Sequence, residues 1–169
     1  MPRSIARSLP RRRALRLITG GASAALLGEF GAAFTAFLRP LRAVAAGSVV
    51  EAGPADAILA RFRERDDEPF YVRAGRCFIL HAPDGLLAVS GRCTHLGCAY
   101  AYAPAEGQFH CPCHSSLFDK RTGVVLGGPA TRPLDLLPIR IENGVVAVDA
   151  EDGRAMRRAG YDAAQATRV

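Results

Sequence analysis

Cys93-Thr94-His95-Leu96-Gly97-Cys98 and, after twelve further residues, Cys111-Pro112-Cys113-His114-Ser115-Ser116 are the two stretches that decide how this 169-residue chain folds. They contain four of the five cysteines and two of the four histidines. Written as ligands, the pattern is Cys-x-His, fifteen residues, then Cys-x-x-His, with one further cysteine in each stretch. Thiolate and imidazole side chains are the ligands of zinc and of iron–sulfur clusters. The two stretches therefore predict a metal centre.

This spacing resembles that of the Rieske 2Fe-2S family, and the resemblance extends over about residues 70–148. The resemblance implies a 2Fe-2S cluster with two thiolates on one iron and two imidazoles on the other. These are Cys93 and Cys111, and His95 and His114, respectively. Neutral imidazoles remove negative charge from the cluster and raise its potential into the range of roughly −150 to +300 mV. The competing interpretation is one tetrahedral zinc on the same four residues.

The resemblance also implies a disulfide between Cys98 and Cys113, which a zinc site does not need. In the family this pairing is typical of the high-potential respiratory proteins and is absent from ring-hydroxylating oxygenases and their ferredoxins. A structural disulfide requires an oxidising compartment. The segment Gly127-Gly128-Pro129-Ala130 resembles the Pro loop that covers the cluster. Residues expected around the cluster are Leu96, Gly97, Pro112, Ser115, Phe118, Gly128 and Pro129.

Three positions next to the ligands bear on the potential. Ser116 matches the serine whose hydroxyl reaches a bridging sulfide and is expected to help bind the cofactor. Phe118 stands where the respiratory proteins usually carry a tyrosine that donates a hydrogen bond to a ligand sulfur, and Ser115 replaces the usual glycine. With one potential-raising bond retained and one lost, we expect an intermediate potential, suited to a lower-potential quinol such as menaquinol.

The remaining cysteine and histidines are expected to stay outside the site. Cys77 lies in an apolar run and is expected to be a buried, inert thiol. His81 and His110 fall outside the matched ligand positions and are expected to be ordinary polar residues.

The N-terminal segment predicts a membrane anchor. Six arginines precede residues 17–38, which are mostly Ala, Leu, Phe and Gly. A helix of that length spans about 33 Å, close to the thickness of the hydrocarbon core. The arginine bias puts the N-terminus in the cytoplasm and the rest of the chain on the outer side of a bacterial cytoplasmic membrane. Glu29 within the span is costly unless it is protonated or packed against a partner helix.

The alternatives to a retained anchor are a cleaved export signal and a buried helix of a soluble protein. The segment Arg11-Arg12-Arg13-Ala14-Leu15 resembles the twin-arginine motif, whose route exports proteins that have already folded around a cofactor. The small-residue pattern Ala43-Val44-Ala45 is an alternative cleavage site, which would release a protein beginning at Ala46.

Charge and composition exclude several classes of function. Residues 1–46 carry eight arginines and one acid, a net charge of +7, so the remaining chain carries −1. The nearly neutral domain gives no argument for nucleic-acid binding. With 49% hydrophobic and 22% charged residues, the chain is neither intrinsically disordered nor a multi-span transporter.

The pattern after residue 70 is typical of strands and turns, with apolar runs at 70–72, 77–80, 86–89, 137–141 and 145–148. Asp84-Gly85 and Asn143-Gly144 each predict a hairpin. Residues 56–67 fit either a helix or a strand. Residues 152–169 lack hydrophobic periodicity, which predicts a peripheral or mobile extension. The expected fold is an all-β antiparallel sandwich with an inserted cluster-binding subdomain, preceded by a single transmembrane helix. The expected order is a basic segment at 1–16, the transmembrane helix at 17–38, a hinge or linker at 39–54, the Rieske domain at 55–150 with its cluster-binding part at about 91–133, and a C-terminal extension at 151–169.

The resemblance implies a one-electron transfer subunit of a quinol–cytochrome c oxidoreductase. Its partners would be a cytochrome b-type quinol-oxidising subunit, a c-type cytochrome acceptor and quinol at the interface, where His95 or His114 would accept a hydrogen bond from the quinol. The alternative is an exported electron-transfer subunit of a molybdenum oxidase of the arsenite-oxidase type. A cytosolic ferredoxin or oxygenase component is disfavoured by the expected disulfide and by the N-terminal segment.

Overall fold

The computed structural model describes residues 10–38, 49–151 and 154–169, and the chain divides into two units, 1–44 and 45–169. The first unit contains helix α1, Arg11–Leu38. Its stretch Arg11–Thr35 is long and apolar enough to cross a membrane, with a mean hydropathy of 1.3. This confirms the predicted apolar helix, which begins six residues earlier than expected. The alternative cleavage site at 43–45 lies outside the described residues.

The described part of the second unit is built of eleven strands in three antiparallel sheets, with the strand orders β1-β11-β10, β2-β3-β4-β9 and β5-β6-β7-β8. The elements are β1 Val49–Pro54, α2 Ala55–Glu64, β2 Phe70–Val72, β3 Cys77–Ala82, β4 Gly85–Ser90, β5 Ala101–Ala103, β6 Gln108–Cys111, β7 Ser116–Asp119, β8 Val125–Gly127, β9 Leu136–Leu137, β10 Ile139–Glu142, β11 Val145–Asp149 and a 3-10 turn Ala163–Gln165. This confirms the all-β expectation.

Both predicted hairpins are present. Strands β3 and β4 pair in register up to Ala82 and Gly85, and β10 and β11 pair up to Glu142 and Val145. In the second hairpin Asn143 has a φ of +51°, the left-handed conformation that asparagine tolerates. Turn chemistry therefore predicts these two connections correctly.

The sheet β2-β3-β4-β9 is covered on both faces, because alternate residues of β3 and β4 enter two different cores. The cluster-side core consists of Phe78, Leu80, Ala82, Leu87, Val89, Cys93, Tyr100, Phe109, Cys111, Phe118, Ala130, Leu134 and Leu136. The base core consists of Ala55, Ile58, Phe62, Cys77, Ile79, Leu86, Ala88, Leu137, Val146 and Val148. Burial on both faces explains why these strands read as continuous apolar runs rather than as alternating patterns.

Residues 49–54, which the sequence assigns to the linker, form strand β1 instead. They pair antiparallel with Val145–Asp149, with a register shift between Glu51 and Gly53. The composition around Gly53 and Pro54 is typical of a linker. The strand is held by backbone pairing with β11, which amino-acid composition does not reveal. Residues 39–48 of the predicted linker lie outside the described residues.

The ambiguous segment that follows is helix α2. Its Ile58 and Phe62, spaced by four residues, are both buried in the base core. One apolar face at helical spacing decides the conformation.

Residues 154–169, expected to be a peripheral or mobile extension, are mostly exposed but are attached to the second unit by backbone hydrogen bonds. Met156 exchanges two backbone hydrogen bonds with Leu136, and Thr167 exchanges two with Leu86. Between these points Arg158 is buried. Backbone bonds and one buried side chain leave no hydrophobic periodicity in the sequence, which is why the pattern did not predict this attachment.

Candidate metal centre

Two loops carry the predicted ligands. The first joins β4 to β5 and is closed on itself: the Cys93 amide donates to the Cys98 carbonyl at 2.8 Å, and the Gly97 amide donates to the Cys93 carbonyl at 2.8 Å. The second joins β6 to β7, where the Ser115 amide donates to the Cys111 carbonyl at 2.9 Å. Each loop therefore fixes its own cysteine backbone.

The four predicted ligands separate into an inner and an outer pair. Cys93 and Cys111 are buried and belong to the cluster-side core. His95 is half-buried and His114 is exposed, and their rings meet edge to face with centroids 4.8 Å apart. The arrangement offers two thiols inside and two imidazoles outside, as a mixed-ligand cluster requires.

Two observations test whether these residues fit a metal group. Nδ1 of His95 is buried without a hydrogen-bond partner among the described residues, an unfavourable state that a bound metal would relieve. Burial, the largest cause, raises the pKa of the Cys93 thiol, and the neighbouring thiol of Cys111 raises it further. Metal binding replaces that proton and yields the thiolate ligand. The residues fit a cluster.

The predicted disulfide partners, Cys98 and Cys113, lie close to each other and to Cys111. The Sγ atoms of Cys98, Cys111 and Cys113 are all within 4.8 Å of one another, and all five cysteines are thiols in this structure. The side chain of Cys98 is the main cause that raises the pKa of the Cys113 thiol to about 11. The pairing of Cys98 with Cys113 stays a prediction.

The Gly127-Gly128-Pro129-Ala130 segment packs against the second loop. Gly128 has a φ of +82°, and a Cβ there would lie 2.4 Å from the Ser115 carbonyl oxygen. Only glycine allows this approach. The Ala130 amide donates to Ser116 Oγ at 3.2 Å, which leaves the hydroxyl proton of Ser116 free to point elsewhere.

The other predicted surroundings divide between surface and interior. Leu96 is 70% exposed, and Gly97, Pro112, Ser115, Gly128 and Pro129 are exposed as well. Phe118 is fully buried in the cluster-side core, with its ring centroid 5.9 Å from that of Tyr100. Ser115 has a φ of +58°, which explains why the family prefers glycine at this position.

One contact of the site was not predicted. Thr94 Oγ1 donates to the Arg132 carbonyl at 2.7 Å and so ties the first loop to the segment after the Pro loop. A threonine inside a ligand stretch carries no signal for a partner 38 residues away, so sequence reasoning had no means to find this bond.

The cysteine and the two histidines that are expected to stay outside the site lie on strands β3 and β6. Cys77 is in the base core, where burial raises the pKa of its thiol to about 12. His81 stacks on Phe62 with centroids 5.2 Å apart, and its Nδ1 lies 2.6 Å from Asp67 Oδ1. His110 is half-buried on β6.

Comparison with known proteins gives a family match over this region. The model of the Rieske [2Fe-2S] domain matches residues 48–139, more than half of the chain. The cofactor that this domain carries is the 2Fe-2S cluster, and three of the cysteines described above lie close together.

Individual relatives cover a smaller region. The cytochrome b6-f complex iron-sulfur subunit 2 of Trichormus variabilis is 38% identical over 64 residues, which are 38% of this chain and 35% of the relative. The cytochrome b6-f complex iron-sulfur subunit of Chlorobaculum thiosulfatiphilum is 34% identical over 79 residues, 47% of this chain and 43% of the relative. The crystal structure of the plasma membrane Rieske protein PetC3 from Synechocystis PCC 6803 is 28% identical, with a TM-score of 0.43, covering 59% of this chain and 97% of that one. The chain thus spans well under half the length of these two curated relatives.

Proposed function

This chain belongs to the Rieske [2Fe-2S] domain family, and from that premise we propose that it is the iron–sulfur subunit of a cytochrome b–c type complex that oxidises quinol. Relatives named as iron-sulfur subunits of cytochrome b6-f complexes support the proposal, although the match covers only part of their length. The observation that carries it is the arrangement of the ligands, with buried thiols and outward imidazoles.

In this proposal the cluster supplies reversible one-electron chemistry near neutral pH. Cys93 and Cys111, buried in the cluster-side core, would hold one iron, and His95 and His114 would hold the other. An imidazole of His95 or His114 would accept the hydrogen bond from the quinol hydroxyl and take its proton, while the electron would go to the cluster. The exposure of His114 makes it accessible to a docked quinol.

We propose an intermediate reduction potential, matched to menaquinol or another lower-potential quinol. Phe118 offers no hydroxyl to a ligand sulfur, whereas the buried hydroxyl of Ser116 accepts from the Ala130 amide and keeps its own proton to donate. One hydrogen bond to a cluster sulfur is thus available where two would be needed for the highest potentials.

Helix α1 is proposed to anchor the protein in a bacterial cytoplasmic membrane, with the cluster domain on the outer side. The length and hydropathy of Arg11–Thr35 support a span, and the leading arginines support this orientation. Glu29 would lie against a helix of the cytochrome b-type partner, which would relieve the cost of a carboxyl group in lipid. A c-type haem would accept the electron.

The deciding experiment is the intact mass of the protein taken from membranes, combined with its electron paramagnetic resonance spectrum. We expect a nearly full-length chain whose reduced Rieske signal shifts when a quinol-site inhibitor is added. A soluble chain beginning near Ala46, with a signal that ignores the inhibitor, would contradict the proposal and favour a subunit of an arsenite-oxidase type enzyme.

A further inference from the structure

The C-terminal segment, residues 154–169, holds a buried charge that the family resemblance did not anticipate. Arg158 is 8% exposed. Its Nε donates to the Leu134 carbonyl at 2.9 Å, its Nη1 to Gln165 Oε1 at 3.2 Å, and its Nη2 to the Thr122 carbonyl. All three partners are neutral oxygens. Burial lowers the pKa of Arg158, because the charged guanidinium loses its hydration. The three hydrogen bonds offset part of that cost.

The carbonyl groups that Arg158 binds belong to segments next to the cluster site. Residues 130–134, here called the clamp segment, touch both ligand loops: Ala130 bonds to Ser116, and Arg132 accepts from Thr94. Arg158 binds the C-terminal end of this segment through Leu134, which is fully buried in the cluster-side core.

The second carbonyl that Arg158 binds, that of Thr122, belongs to the turn that follows β7. Thr122 lies in the turn organised by Asp119, whose Oδ1 accepts from the amides of Arg121 and Thr122. The Leu134 amide donates to the Gly123 carbonyl at 3.0 Å, so this turn and the clamp segment are already joined. An added Cβ at Gly123 would lie 2.8 Å from Arg158 Nη2, so the guanidinium fills the space beside the junction.

The ends of the segment are fixed, on either side of Arg158, to the sheet β2-β3-β4-β9, here called the middle sheet. Met156 pairs with Leu136 and Thr167 pairs with Leu86. Both bridges use backbone bonds, so the segment lies across the sheet and presents one arginine to the clamp segment.

We propose that Arg158 is a positioning residue of the metal centre: from the C-terminal segment it holds the clamp segment against the two ligand loops, and thereby sets the geometry and the retention of the cluster. The inference rests on the ligand set proposed above. It does not depend on quinol or on any partner subunit.

The test uses the full-length, cluster-loaded protein and compares Arg158→Met with Arg157→Met, a matched control on the exposed neighbour. Two quantities are measured: the rate at which visible absorbance of the cluster is lost at one temperature, and the line widths of the reduced spectrum. We expect Arg158→Met to lose the cluster about tenfold faster with broadened lines, because the clamp segment and the adjoining turn lose their hydrogen bonds to the guanidinium. The control should match the parent protein.

Two milder variants keep the inference testable if Arg158→Met does not accumulate. Arg158→Lys retains the charge and can still donate to a carbonyl, so cluster lifetime should return toward that of the parent. Gln165→Ala removes one hydrogen bond at a half-buried position and should shorten the lifetime about threefold. A parent-like lifetime and parent-like line widths in Gln165→Ala would overturn the inference, as would an Arg158→Lys protein that loses the cluster as fast as Arg158→Met.

A purely structural role gives a different result. It would lower the thermal unfolding midpoint of Arg158→Met while the lifetime and line widths of the folded protein stayed at parent values, and this outcome also overturns the inference. A Rieske signal that is normal in the parent but insensitive to a quinol-site inhibitor would remove the proposed function and leave the role of Arg158 intact.

Discussion

The two cores on either side of the middle sheet differ in what they contain. The base core is built from aliphatic side chains together with Phe62 and the inert thiol of Cys77. The cluster-side core contains the two proposed ligand cysteines, Cys93 and Cys111, and the rings of Phe78, Tyr100, Phe109 and Phe118. Since β3 and β4 contribute to both by alternation, one pair of strands supports a region for stability and a region for chemistry. We therefore expect stability and cluster properties to respond separately to substitution.

The largest expected effect comes from replacing one cysteine in each of the two cores. Cys111→Ser should abolish the Rieske signal, because a serine hydroxyl does not supply the thiolate that iron needs. Cys77→Ala, the matched control from the base core, should retain the signal and lower only the free energy of unfolding. The measurements are iron content and electron paramagnetic resonance. Loss of the signal in Cys77→Ala would contradict the separation of the two cores.

The next effect tests the base core by stability alone. Phe62 is fully buried there. Phe62→Ala should lower the free energy of unfolding by about 3–5 kcal/mol through lost burial and a residual cavity. Its reduced spectrum should stay unchanged at temperatures where the protein is folded. The comparison variant is Phe109→Ala, equally buried in the cluster-side core, which should both destabilise the protein and alter the spectrum.

A third variant tests the cluster-side core by potential. Phe118→Tyr supplies the hydroxyl that the respiratory relatives are expected to have, and a bond to a ligand sulfur favours the reduced cluster. If that bond contributes a free energy of about 1.5 kcal/mol, the one-electron midpoint potential rises by about 65 mV.

The control for that titration is Phe70→Tyr, which adds a hydroxyl at a half-buried ring packed against the base core and should leave the potential unchanged. An unchanged potential in Phe118→Tyr would remove the basis for an intermediate potential and for the choice of a lower-potential quinol.

The features that could be predicted from sequence are those that short-range chemistry determines. The ligand stretches, the apolar runs of β3 and β4, and the Asn143-Gly144 turn each carry their reason within a few residues. The family resemblance then supplied the cofactor, which the domain match confirms.

Long-range backbone pairing explains most of what could not be predicted. Strand β1 exists because β11 lies beside it, and the attachment of the C-terminal segment depends on Leu136 and Leu86. Arg158 is one charged residue among several in a polar stretch, and only the two carbonyl groups that it meets in the fold distinguish it from Arg157. No local pattern encodes such a meeting.

The smallest effect concerns two left-handed residues, one in each region. Ser115 has a φ of +58° and is next to the proposed ligand His114. Asn143 has a φ of +51° and lies in the hairpin between β10 and β11. Serine is strained in this conformation whereas asparagine tolerates it, so Ser115→Gly should raise the free energy of unfolding by about 0.5–1 kcal/mol after the entropy cost of glycine. Asn143→Gly should change it by less. Because the exposed Ser115 side chain makes way without loss of packing, the cluster spectrum should be retained. A destabilised Ser115→Gly would mean that the serine hydroxyl, and not only the backbone, supports the second loop.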